Sequence, residues 1–122
     1  MVPRSLSSEA NPVDQIVEGL DQPRIYVDLN ELVEPMLVLL SKEDTRTNSS
    51  GMRINLSEGL RVAIYSDDAD SFGKRDFILA EGTVERNPQT TGWGSDVKWC
   101  CRIDHDSFHH ESDVVYPPRG ES

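Results

Sequence analysis

No run of apolar residues in this chain approaches the roughly 20 that a helix needs to cross a bilayer. The longest, Met36 to Leu40, has the length of one core strand. Positions 1–30 also lack the charged start, apolar stretch and cleavage site of a secretory signal, so the expectation is a cytoplasmic protein with no membrane partner. Cysteine is nearly absent: Cys100 and Cys101 are the only two, and they are adjacent. Neighbours on a strand point to opposite faces, which argues against a mutual disulfide, and two free thiols suit a reducing compartment. Glycine-rich phosphate loops and nucleotide-binding patterns are missing, and no cofactor is expected. Positive charge is scarce, with 12 basic against 22 acidic residues and a formal net charge of −10. Such a surface repels phosphate backbones and anionic membranes, which argues against nucleic acid as a partner. A basic protein or peptide fits it better, although solubility alone also accounts for an acidic surface.

What the chain does have is alternation. Leu60, Val62 and Ile64 share one face of a first segment, and Ile78, Ala80, Gly82 and Val84 share one face of a second. Val97, Trp99, Cys101 and Ile103 share one face of a third, opposite Lys98, Cys100, Arg102 and Asp104. Period two is the signature of a strand with one face to a core and one to water. At 122 residues the chain has room for one hydrophobic core. Residues 1–10 have no periodicity and read as a loose tail, 11–116 as a single domain, and 117–122, after Pro117-Pro118, as a second tail.

Within the domain, Asn11 looks like an N-cap with Pro12 at the first helical position. Val13, Ile16, Val17 and Leu20 follow at helical spacing, so a short helix is expected over about 12–20. Strands are expected at 25–29, 53–56, 60–66, 76–86, 97–104 and 114–116. Residues 30–41 read either as a helix or as a turn followed by a buried strand from Met36 to Ser41. Pro35 favours the strand, because it falls where a helix would need a backbone donor. Gly82 suggests a bulge or sharp bend of the kind that curls small sheets. The whole is expected to be mainly β, a small barrel or strongly curled antiparallel sheet carrying a short N-terminal helix. Over about residues 36–116 its strand lengths and long loop resemble SH3-like barrels, a likeness of architecture that transmits no function.

Two regions carry the candidate functional residues. Asp67, Asp68 and Asp70 concentrate charge in the loop 67–75, and Trp93 stands between Gly92 and Gly94 in the loop 87–96. An EF-hand read from Asp68 fails, because Phe72 falls at the fifth position and Leu79 at the twelfth. The loop therefore reads as a hairpin with turn-favouring aspartates, able to attract lysine or arginine. Trp93 either caps the barrel or contacts a partner. Tyr65, Phe77 and Leu79 form a second apolar patch, fit to cover the N-terminal helix or to bind a partner. The expected function is non-catalytic binding of a protein or peptide through Asp67, Asp68, Asp70 and Trp93.

The alternative is a metal-binding or thiol-reactive site at Cys100, His105, His109 and His110. Thiolate and imidazole are the ligands that select zinc, but no C-x-x-C is present. On a continuous strand Cys101 and His105 would lie about 13 Å apart. Lys98 and Arg102, flanking an outward Cys100, would lower its pKa. Asp104, His105 and Ser107 are neighbours whose side chains would point apart, so no catalytic role is expected.

Overall fold

The computed structural model describes residues 16–113. It is mainly β, with 41% strand and 3% helix, and its main sheet is curled into a half-barrel. The strands are β1 (Ile25–Tyr26), β2 (Leu32–Glu34), β3 (Leu37–Ser41), β4 (Thr45–Thr47), β5 (Arg53–Asn55), β6 (Arg61–Ser66), β7 (Ile78–Arg86), β8 (Trp99–Ile103) and β9 (His109–His110). Seven of them form one sheet in the order β1-β6-β7-β8-β3-β2, with β9 also on β7, while β4 and β5 pair separately. All pairings are antiparallel except that of β1 with β6. Among the described residues no helix is long and apolar enough to cross a membrane.

Register brings the alternating apolar residues into rows. Val38 lies opposite Cys101 and Cys101 opposite Val84; Val62 lies opposite Gly82 and Gly82 opposite Ile103. Ile64, Ala80 and Trp99 join them in one buried cluster, closed by Ile25, Val27, Leu40 and Leu56. Most of the inward face read from the sequence is the core, but Ile78 and Val97 are only half-buried and lie outside it.

The other face is not simply wet. Leu37, Tyr65, Leu79 and Cys100 are buried on that side as well. Tyr65 meets Tyr26 edge-on and stacks on Phe77, each at 5.4 Å between ring centroids. The Arg75 guanidinium lies 4.5 Å over the Phe77 ring and donates to the carbonyl of Glu18 (2.9 Å), so the second apolar patch is covered from within the chain. Arg24, 1% exposed, also ties the N-terminal segment to the sheet. Its Nη1 donates to the carbonyls of Ile64 (3.1 Å) and Ala80 (2.9 Å) and to Glu81 (3.1 Å), and its other nitrogens grip Asp21. Burial works against the charge, but Asp21 and Glu81 outweigh it and hold the guanidinium pKa above its ordinary value.

Three expectations need correction. The helix over about 12–20 is not seen: residues 16–20 are irregular, and 12–15 lie outside the described residues. Val17 donates instead to the Ser49 carbonyl (2.9 Å), and Gly19 takes a φ of +89°, outside the helical region. A segment too short to be helical alone follows the partners that tertiary structure offers. The strand at 114–116 and both tails also fall outside the described residues. Residues 30–41 do adopt strand structure, but as a hairpin. Pro35 and Met36 make its two-residue turn, with Met36 at a φ of +66°, the pattern of a type II turn with proline first.

The bulge at Gly82 is the third correction, since the ladder passes through it without a register shift. The irregularities sit instead between Leu32 and Glu34 and between Leu39 and Ser41. Glycine is needed at 82 because a Cβ there would fall inside van der Waals contact of the Arg102 carbonyl oxygen and Cys101 Sγ. Beyond Gly82 the chain opposite β7 loops out over Asp104–Phe108 before β9 resumes pairing. Ser107 fills the gap: its hydroxyl accepts the Glu81 N–H (3.0 Å) and donates to the Asp104 carbonyl (2.7 Å).

Gly82→Ala is expected to destabilise the fold by about 1–3 kcal/mol through overpacking. Urea denaturation followed by circular dichroism measures it, and an unchanged midpoint would show that β8 can move aside.

Candidate functional site

The half-barrel leaves a seam between β1 on one side and β3 with β2 on the other. No strand pairing crosses it; a side chain does. Arg46 of β4, 7% exposed, donates from Nη1 to the Leu40 carbonyl and from Nη2 to the Tyr26 carbonyl (2.9 Å). A planar guanidinium presents donors in a fixed fork, so one residue can satisfy an edge carbonyl from each side. The β4–β5 hairpin that delivers it is anchored through Asp44, whose carbonyl accepts Leu56 N–H (2.7 Å) and whose carboxylate accepts Trp99 Nε1–H (2.9 Å).

Along this seam runs a groove of about 630 Å³, lined among others by Tyr26, Asp28, Glu31, Leu39, Thr45 and Arg53. Three acidic and three basic side chains line it, but the cations are unequally free. Arg46 is engaged with the two carbonyls, and Lys42 is paired with Asp96 at 2.9 Å. Tyr26 stays protonated at any physiological pH. Burial first, then the Asp67 and Asp28 charges, push its hydroxyl up to about 12.

The structure divides the four sequence-predicted binding residues. Trp93 stands out at 59% exposure rather than capping the core. Its loop is braced: Asn87 Nδ2 donates to the carbonyls of Gly94 and Val97, each at 2.8 Å, and a Cβ added at Gly94 would meet the side chains of Val33 and Leu39. Trp93 itself does not line the groove; of its loop, Val97 does. Asp67 accepts the Tyr26 hydroxyl (3.3 Å) on the opposite bank. The two loops leave opposite ends of β7.

Asp68 ties its loop to β9, while Asp70 serves the loop itself. Asp68 meets His110 Nε2 at 2.7 Å, and Asp70 Oδ1 accepts the N–H groups of Phe72 (2.9 Å) and Lys74 (3.0 Å). The tip of that loop carries Phe72 at 91% exposure. Sequence reading weighed Phe72 only as a failed calcium ligand. The usable signal was an aromatic ring at a hairpin tip, between Ser71 and Gly73, with no apolar neighbour to pack on.

The cysteine–histidine region is not drawn together. Cys101 lies in the core and Cys100 on the opposite face, opposite Glu85 and Leu39, both at 0% exposure. The expectation of an outward Cys100 with a lowered pKa is overturned. Burial chiefly, then Glu85, push its thiol up to about 11 against the pull of Arg102, and burial pushes Cys101 up to about 12. His109 and His110 are successive strand residues and diverge; His109 Nδ1 lies 2.8 Å from the Ser107 carbonyl, and His105 is exposed in the turn after β8. Among the described residues no three His, Cys, Asp or Glu side chains are grouped to hold a metal ion. Asp104 pairs with Arg61 rather than with His105.

Two measurements check this electrostatic picture. Alkylation of both thiols by iodoacetamide is expected to be at least about ten-fold slower in the native chain than in denaturant, as buried, protonated thiols require; equal rates would restore a reactive cysteine. The hydrogen bond to Asp68, with Asp76 and Asp113 nearby, raises the His110 pKa. A raised folded-state value means the pair's stabilisation is complete below the unfolded pKa and fades as pH rises through the folded one. NMR titration should place His110 above about 6.5, and Asp68→Asn should bring it back down. Comparison with protein-family models, curated proteins and solved structures gives no match to this chain.

Proposed function

We propose that the protein is a non-catalytic binding module that receives a protein or peptide segment in the seam groove. The observation that carries the reading is Trp93: a large indole, 59% exposed, on a loop with its own hydrogen-bonded brace, whose Val97 lines the groove. Leaving that apolar area in water is unfavourable at about 25 cal/mol per Å², and a partner that covers it recovers the difference. Because the loop is already braced, less conformational entropy is lost on contact. Tryptophan is also the side chain most often dominant in binding energetics. On the other bank Asp67 and Asp28 supply negative charge that attracts and orients a basic segment.

Selection from a random displayed-peptide library against the folded chain is expected to yield groove-binding peptides. Trp93→Ala should weaken their binding by at least about ten-fold, a hot-spot effect, while the thermal midpoint stays put. A library that enriches nothing, or selected peptides indifferent to Trp93→Ala, would remove the proposal. A fall in the midpoint equal to that of a core substitution would recast Trp93 as structural.

A further inference from the structure

Glu31, the residue before β2, lines the seam groove, and among the described residues β2 is the last strand of the sheet, paired on one side only. An edge strand presents unpaired backbone groups to whatever extended chain approaches. Here the edge carries a distinct charge. The stretch 28–34 holds Asp28, Glu31 and Glu34 and no basic residue. Glu34 shares its cation: Arg102 lies 3.2 Å from both Glu34 and Glu85, one guanidinium for two carboxylates. Between Glu31 and Glu34, Leu32 leaves 42% of its surface exposed, and Val33 Cγ1 lies 3.5 Å from where a Cβ on Gly94, the residue after Trp93, would stand.

Resting on the groove reading above, we infer that the partner is an extended, lysine- or arginine-bearing segment that adds as a strand to the outer edge of β2 and runs from there into the groove. Three features select this occupant. The open edge supplies main-chain donors and acceptors along an extended peptide. Leu32 and Trp93 supply apolar contact for its alternate side chains. The carboxylates at 31 and 34 attract cations and at the same time repel a second copy of this chain, whose own edge bears the same charges and whose net charge is −10. Docking here need not disturb Arg46, which has already satisfied the carbonyls of Tyr26 and Leu40 within the seam.

The test uses three synthetic probes of equal length and charge: alternating valine and lysine, alternating glycine and lysine, and the valine–lysine peptide N-methylated at alternate backbone nitrogens. Each is titrated into the full chain at physiological ionic strength and followed by amide chemical shifts. The valine–lysine peptide should bind saturably, shift Leu32–Glu34, and exceed both others by about ten-fold, because one lacks apolar side chains and strand propensity and the other lacks donors. The double variant Glu31→Gln, Glu34→Gln should weaken it about three- to ten-fold with the fold unchanged. Equal binding of the methylated or glycine peptide, or shifts that avoid 32–34, would overturn strand addition. If library-selected peptides depend on Trp93 while no probe touches Leu32–Glu34, this inference falls and the groove reading stands; if the probe pairs with β2 but Trp93→Ala leaves selected peptides unaffected, the reverse holds.

Discussion

One buried guanidinium decides what kind of object this curled sheet becomes. Without Arg46, the carbonyls of Leu40 and Tyr26 would face each other across the seam with no donor between them, and an unsatisfied buried carbonyl costs about 1–3 kcal/mol. With Arg46 in place the two edges are fastened without a strand, and the sheet stops short of closure. A strand in that position would have filled the seam and erased the groove. The side chain lines a groove of about 630 Å³ that remains open beside it.

The same device recurs at Arg24 and Arg75. Arg24 fastens the irregular N-terminal segment to β6 and β7 through backbone carbonyls, and Arg75 fastens it to Phe77 and to Glu111, at 2.8 Å, beyond β9. In a chain with only 12 basic residues, three arginines spent in this way leave the remaining surface strongly acidic. Arg24 and Arg46 are drawn inward to bridge elements that share few strand contacts, while Arg75 does so from a partly exposed position. What remains outside is a rim of carboxylates and a few exposed apolar side chains, among them Trp93, Phe72 and Leu32.

Local pattern made the strands and their inward faces legible. Val62, Ile64, Ala80, Val84, Trp99, Cys101 and Ile103 could be assigned to one core because period two depends only on neighbours along the chain. Pro35 likewise announced the end of any helix, since its missing donor is a property of the residue itself. The N-terminal helix was misread for the complementary reason. Its spacing was helical, but the hydrogen bond from Val17 to Ser49 reaches across 32 positions, and no periodicity encodes it. Cys100 was placed outward because strand neighbours alternate. It is buried nonetheless, because both faces of this sheet are covered, which a single strand cannot reveal.

For the candidate site the division is sharper. The residues alone determined that Trp93 and the aspartates lie in turns, that the surface is acidic, and that the two cysteines cannot bridge each other. Those properties follow from side-chain chemistry and from geometry over a few positions. Only the tertiary structure decided that Asp67 meets Tyr26, that Asp68 ties its loop to β9 while Asp70 serves the loop itself, and that Arg46 spans a seam. These outcomes depend on how far the sheet curls, a sum of small twists over several strands, and on which distant carbonyl a long cationic side chain happens to reach.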